Sequence, residues 1–240
     1  MIRPRRDAVD SPSSRPPLRL KYVEAVLSIG FALAFIAWTR LSAPGPLAPN
    51  TDPSSSGGPF GLDLLLPAPA AYPRSAAGQL AEAFAILTHP LIVLAVTATW
   101  VVYAYTGRMR RLSVSLAIAA TGIPVQFLIA LHLARPTPGA AFADSIAAFA
   151  HAYPNAHVTA MTLASWVLVT LARAHHRSTM VAIGTVLGYA AVVMTAVSQW
   201  YMGLATLSDL IGGFLLGAAF ANLALWVGGI DAILTSWVNR

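Results

Sequence analysis

The chain has 240 residues, of which 57% are hydrophobic and 10% are charged. Soluble domains carry about 25% charged residues, so this composition excludes an ordinary soluble enzyme. The formal net charge of +6 comes from basic residues that form no patch of the kind that binds nucleic acid, and the lack of cysteine excludes disulfides, thiolate metal ligands and a cysteine nucleophile.

Six apolar segments follow a basic tail and predict an all-α, polytopic membrane protein with a six-transmembrane-helix bundle. The tail, residues 1–20, is rich in Arg, Pro and Ser and is predicted to be disordered, because it has no apolar face to bury. Each segment is near the roughly 20 residues that cross a bilayer as a helix. The segments are Tyr22–Thr39, Ala83–Thr106, Leu112–Ala134, Asn155–Ala172, Thr179–Ser198 and Leu207–Ile230. We therefore predict one membrane domain over residues 21–240.

The distribution of Lys and Arg predicts the orientation of the bundle. If the N-terminus is cytoplasmic, twelve of the 15 basic residues lie inside and Arg40, Arg74 and Arg135 lie outside. Both termini are then cytoplasmic, and the Pro-, Gly- and Ser-rich residues 41–78 form an exposed extracytoplasmic loop. A cleaved secretory signal is the alternative for the first span and leaves the rest of the topology unchanged. The Ala- and Arg-rich, Lys-poor composition favours a bacterial plasma membrane.

Ionisable residues at membrane depth are costly and indicate function, and here they gather at one end of the predicted bundle. Arg135 follows the third span, His157 begins the fourth and Asp209 begins the sixth. Segments that are distant in sequence therefore place a cation, an imidazole and a carboxylate near one extracytoplasmic interface. His89-Pro90 is interpreted as a helix kink. A transporter or channel would need more charged or broken helices near the midplane than this chain has.

Three stretches resemble the motifs of the type-2 phosphatidic-acid phosphatase superfamily, a group of six-helix membrane enzymes. The stretches are ARPTP at Ala134–Pro138, AYPNAHVTA at Ala152–Ala160 and SQWYMGLATLSDLIGG at Ser198–Gly213. The family motifs are Lys-x6-Arg-Pro, Pro-Ser-Gly-His and Ser-Arg-x5-His-x3-Asp, in the same order at the same spans. The resemblance covers residues 83–230 and implies a site for a lipid phosphate or pyrophosphate on the extracytoplasmic side.

The resemblance also implies a role for each motif position. In the family, cationic side chains clamp the phosphate, a histidine attacks phosphorus, an aspartate orients that histidine, and a second histidine protonates the leaving oxygen. His157 stands at the general acid and Asp209 at the orienting carboxylate. Ala205, however, stands at the nucleophile and Gln199 at the third-motif arginine. Asn155 replaces the serine of the Ser-Gly pair.

The first motif fits in two registers. One keeps Arg135 as the phosphate ligand and places Leu128 at the lysine position. The other makes Thr137 the ligand position and places Ala130 at the lysine. Neither register restores the lysine, so the substrate-binding candidates by position are Arg135, Thr137, Asn155 and Gln199.

These departures predict a catalytically degenerate protein. Alanine cannot attack phosphorus, and loss of a covalent nucleophile costs about 10⁶ in rate, while each lost cationic clamp removes about 1.5–3 kcal/mol of phosphate binding. Such a protein would bind a membrane lipid, such as a lipid phosphate or polyprenyl phosphate, a membrane-protein partner or a second copy of itself. Asp209 would then pair with Arg135 or His157.

The alternative hypothesis is a divergent active phosphatase. It would act on an extracytoplasmic lipid phosphate or pyrophosphate through His157, with water or a relocated nucleophile such as His151. No cofactor or nucleic acid is expected in either case, and no metal is expected because the histidines lack the close spacing of metal ligands.

Overall fold

The computed structural model describes residues 18–42, 63, 66, 73–135, 137, 142, 144–149, 151–174 and 178–228. Over these residues the chain is all-helical. The helices are α1 (Leu18–Ser42), α2 (Ala76–Leu87), α3 (Pro90–Thr106), α4 (Arg110–Leu133), α5 (Ala156–Ala174), α6 (Ser178–Tyr201) and α7 (Leu207–Gly228). Within the same residues, five spans are long and apolar enough to cross a membrane: Tyr22–Ser42, Ala76–Thr106, Arg110–Leu133, Thr179–Tyr201 and Leu207–Val227. The predicted all-α, multi-pass membrane class is confirmed.

The fourth predicted span is a shorter apolar helix, Ala156–Thr170, within α5. Most residues of this helix are buried, and it packs against α3, α4, α6 and α7. Its buried hydroxyl groups bond to backbone carbonyls: Thr162 Oγ1 donates to Val158 O within the helix at 2.7 Å, and Ser165 Oγ donates to Gly188 O of α6 at 2.9 Å. α5 is therefore the central helix of the bundle.

The second predicted span is divided in the structure. Instead of one helix over Ala83–Thr106, α2 ends at Leu87 and α3 begins at Pro90. Proline has no amide hydrogen and disfavours helical backbone at the preceding residue, and His89 accordingly has a ψ angle of 130°. His89 Nδ1 accepts a hydrogen bond from Leu91 N at 3.3 Å. The predicted kink is thus a break between two helices.

Two predicted segments fall mainly outside the described residues. Residues 1–17 of the predicted tail lie outside them, and α1 begins at Leu18, within the segment assigned to the tail. Most of the predicted loop over 41–78 also lies outside them, although α1 extends to Ser42 and α2 begins at Ala76. Asp63 and Leu66 of this loop are described, and both contact the bundle.

α7 approaches α5 closely through glycine. A Cβ atom on Gly213 would lie 2.5 Å from Asn155 O, and one on Gly217 would lie 2.8 Å from Thr162 Cβ. Such contacts are open only to residues without a side chain. Packing of α7 against α1, α4 and α5 brings the start of α7, the start of α5 and the end of α4 together at one end of the bundle.

Candidate functional site at the junction of α4, α5 and α7

The backbone brings three of the sequence-predicted residues to one junction. α4 is terminated by Ala134, whose φ of 49° is left-handed and turns the chain into Arg135. The backbone N–H of Asn155, just before α5, donates a hydrogen bond to the backbone oxygen of Asp209 at 3.1 Å, in the first turn of α7. Arg135, Asn155 and Asp209 therefore lie at the same end of the bundle, as their sequence positions predict.

Arg135 binds two carboxylates. Its Nη2 donates to Asp63 Oδ2 at 3.0 Å, and its Nη1 lies 3.2 Å from Asp209 Oδ1. Nη1 also donates to Ser208 Oγ at 2.9 Å. The side chains of Asp63, Arg135 and Asp209 are 8%, 14% and 0% exposed. Of the two partners that the sequence left open for Asp209, the structure selects Arg135 rather than His157.

The two carboxylates also satisfy the start of α7. Asp209 Oδ2 accepts from Thr206 N at 2.7 Å and from Thr206 Oγ1 at 2.8 Å, which is one half of a capping box. Asp63 accepts from Ser208 N at 2.9 Å and from Ser208 Oγ at 2.7 Å. Helix N-termini favour negative charge. With one guanidinium and two carboxylates, the cluster of Asp63, Arg135 and Asp209 carries a formal charge of −1.

Asn155 and Gln199, two of the phosphate-binding positions of the resemblance, carry neutral amides that bond to each other. Asn155 Oδ1 accepts from Val158 N at 2.9 Å and so caps α5, while its Nδ2 donates to Gln199 Oε1 at 3.4 Å. Gln199 is 2% exposed, and its Nε2 has no hydrogen-bond partner among the described residues. Neither side chain supplies the positive charge that a phosphate clamp requires.

His157 lies apart from the charged cluster. Its side chain is completely buried, and Nε2 is 3.0 Å from Ala147 O. The ring centroid is 5.6 Å from that of His89 and 5.4 Å from that of Phe149. Nδ1 makes no hydrogen bond to the described residues, although the backbone at the end of α2 adjoins the ring. The imidazole therefore faces the break between α2 and α3 and not Arg135.

Thr137 bonds to the backbone beside His157, and Ala205 lies in an apolar cluster. Thr137 Oγ1 donates to Phe149 O, which holds that residue beside His157. Ala205 is completely buried in an apolar cluster with Val158, Val192 and Leu210. The nucleophile position of the resemblance thus points into hydrocarbon packing. The structure divides the sequence-predicted residues into a charged cluster, an amide pair and a separate histidine.

Sequence reasoning missed Asp63 and the hydroxyl groups of Thr206 and Ser208. The capping signature Thr206-x-x-Asp209 was a usable signal for the start of α7. Asp63 gave a weaker signal, as the one charged residue within the apolar run 60–66. Its partners are more than seventy residues away in sequence, so no local pattern connects it with the site.

Comparison of the chain with protein-family models, with curated proteins and with solved structures finds no match. The resemblance to the type-2 phosphatidic-acid phosphatases therefore rests on the three motif stretches, with their order and spacing. The geometry of Asp63, Arg135 and Asp209 stands independently of it.

Tyr153 connects this site to α1 and makes it sensitive to alkali. Its hydroxyl is 2.6 Å from Thr39 Oγ1, and its ring stacks on Phe35 at 6.3 Å. Burial disfavours the phenolate and raises the pKa of Tyr153 from 10.0 to about 12. The folded state therefore resists a deprotonation that the unfolded state accepts.

This pKa gives a prediction for Tyr153→Phe. The contribution of Tyr153 is complete below pH 10.0 and is lost as the pH rises towards about 12. We expect the thermal midpoint of the Tyr153→Phe protein to fall less steeply over this interval than that of the wild type. Tyr189→Phe, at an exposed position of α6, is the matched control. If the thermal midpoints of Tyr153→Phe and Tyr189→Phe follow parallel pH profiles, the raised pKa of Tyr153 is contradicted.

Proposed function

We propose that this chain is a catalytically silent membrane protein of lipid-phosphatase type, which binds a membrane lipid phosphate or a membrane partner and does not hydrolyse phosphate. It would span a bacterial plasma membrane six times, with both termini cytoplasmic and the site extracytoplasmic. α5, the fourth of the predicted spans, would complete the set of six, since its 19 residues make a helix about 28 Å long, close to the hydrocarbon thickness.

The observation that carries this proposal is the engagement of Arg135. A phosphatase needs cationic groups that are free to meet the charge developing on a phosphoryl group. Here the guanidinium contacts Asp63, Ser208 and Asp209 within 3.2 Å. Two carboxylates already compensate this guanidinium, so it is not free to stabilise the charge that develops in a phosphoryl transition state.

The environment of Ala205 supports the same conclusion. A phosphoryl-enzyme intermediate needs a nucleophile beside its orienting base. The methyl side chain of Ala205 has no lone pair, and it packs against Val158 and Leu210. Asp209, at the position of the orienting carboxylate, therefore has no nucleophile to orient and instead contacts Arg135, while the ring of His157 bonds to the backbone carbonyl of Ala147.

We expect the purified full chain in detergent micelles to release no phosphate from phosphatidic acid or from undecaprenyl pyrophosphate. With no nucleophile at Ala205, the rate should lie about 10⁶-fold below that of a covalent phosphatase. Inorganic phosphate measured by a colorimetric assay over hours checks this. Release by the wild type that disappears in His157→Ala would overturn the proposal in favour of a divergent active phosphatase.

The variant Ala205→His with Gln199→Arg tests what remains of a phosphatase pocket. It restores the nucleophile and the third-motif arginine, two of the motif positions that the chain lacks, while Asp63 remains bound to Arg135. We expect no phosphate release from this double variant, because the added imidazole would enter the apolar cluster around Ala205. Turnover by the double variant would show that the pocket accommodates catalysis and would contradict the structural argument.

A further inference from the structure

Asp63 occupies a set of hydrogen-bond donors that is suited to an oxyanion. Arg135 Nη2, Ser208 N and Ser208 Oγ all donate to its carboxylate, at 3.0, 2.9 and 2.7 Å. We call Arg135 and Ser208, with the first turn of α7, the anion cradle. An arginine, a backbone amide and a hydroxyl at a helix N-terminus are the groups that proteins use to bind phosphate.

A second observation indicates which ligand the cradle fits. Asp209 Oδ1 is completely buried and makes the 3.2 Å ion-pair contact with Arg135, but it accepts no hydrogen bond from the described residues. Asp63 is a carboxylate and offers no proton to it. A phosphate monoester has a second pKa near 6, so a fraction of it carries an O–H at neutral pH. Its oxyanions would satisfy the cradle and its O–H would satisfy Asp209 Oδ1.

We propose that the carboxylate of Asp63 competes with a phosphate monoester for the anion cradle, and that a phosphate group binds there when this carboxylate is displaced. Removing the Asp63 charge changes the formal charge at the cradle from −1 to 0 and frees its three donors. The inference rests on the proposed function only in expecting the bound phosphate to remain intact. The ligand chemistry is the terminal phosphate, either of a lipid headgroup or of free phosphate.

The test uses the purified full chain in neutral detergent and a fluorescent phosphatidic acid. We expect Asp63→Asn to bind it at least about tenfold more tightly than the wild type, the effect of about one charge-assisted interaction. Asp52→Asn removes one negative charge from the same Pro- and Gly-rich segment and is the matched control. Phosphatidylglycerol is the control lipid, because its phosphodiester is charged but has no terminal phosphate.

Three outcomes would overturn the proposal. The first is that Asp63→Asn binds phosphatidic acid no more tightly than the wild type. The second is that Asp52→Asn gains as much affinity as Asp63→Asn. The third is that the gain in affinity persists when Arg135→Gln is added to Asp63→Asn. Competition with inorganic phosphate separates the two ligand sources. If inorganic phosphate displaces the lipid at equal concentration, the cradle recognises free phosphate. If only phosphatidic acid binds, it recognises the lipid headgroup.

A second measurement keeps Asp63 in place and does not depend on the fold of Asp63→Asn. The chain has no cysteine, so Leu66→Cys introduces a single thiol at a position that is half-exposed and whose carbonyl accepts from Trp200 Nε1 at 3.2 Å. We expect saturating phosphatidic acid to accelerate maleimide labelling of this thiol several-fold, whereas phosphatidylglycerol has no effect. An unchanged labelling rate with phosphatidic acid would overturn the proposal that this lipid displaces Asp63 from the anion cradle.

The same samples distinguish this inference from the proposed function. Phosphate release measured alongside binding reports hydrolysis. Phosphate release by the wild type, together with tighter binding by Asp63→Asn, would refute the catalytically silent assignment and leave the competition by Asp63 intact. Binding that is equal in all variants, with no release, would refute the competition and leave the silent assignment intact.

Discussion

Arg135→Ala is expected to lower the free energy of unfolding by about 3–5 kcal/mol, because it removes the cation from a buried pair and leaves a carboxylate without charge compensation. Asp209 is completely buried, and Asp63 is 8% exposed beside it. Both carboxylates would then face each other across the start of α7. Titration of the purified protein with sodium dodecyl sulfate in mixed micelles measures the change.

The double variant Arg135→Ala with Asp209→Asn separates charge from packing. If the loss comes from an uncompensated carboxylate, Asp209→Asn should recover much of the stability lost in Arg135→Ala. Arg135→Gln keeps most of the length of the side chain and removes the charge, and it should resemble Arg135→Ala. A loss below about 1 kcal/mol in Arg135→Ala, the range of surface ion pairs, would contradict the structural role of this cluster.

The helical membrane architecture could be read from the sequence because hydrocarbon imposes one requirement on every spanning segment. Long apolar runs must satisfy their backbone groups internally, and the runs at Leu112–Ala134 and Thr179–Ser198 correspond to α4 and α6. The division at His89 was seen only as a kink. Proline signals a disturbed helix, but whether the axis bends or two helices form depends on the local capping at Thr88 and His89.

The site was predicted in its parts but not in its connections. Motif positions located Arg135 and Asp209, since they begin or end apolar segments. Whether His157 or Arg135 contacts Asp209 depends on the rotation of α5 about its own axis. In the structure this rotation places His157 against His89 and Phe149. Asp63 was out of reach of sequence reasoning because its donors lie on distant segments.

The close approach of α5 and α7 leads to a second large effect, for Gly213→Ala. The added Cβ would lie 2.5 Å from Asn155 O and 3.2 Å from Asn155 N. Both are backbone atoms, so no rotamer change relieves the clash and the helices must separate. We expect a loss of about 3 kcal/mol in the free energy of unfolding, at the upper end for overpacking, measured by the same detergent titration.

Gly30→Ala is the matched control for Gly213→Ala. Both positions lie within apolar helices, but a Cβ on Gly30 meets nothing within 4 Å. Because alanine favours helix over glycine by about 1 kcal/mol, Gly30→Ala should be neutral or stabilising. Gly213→Ala should also weaken the bond from Asn155 N to Asp209 O, which is 3.1 Å long and aligns α5 with the charged cluster. Equal stability of the two variants would mean that α5 and α7 do not approach through Gly213, and that the junction which positions Arg135 against Asp209 is built in another way.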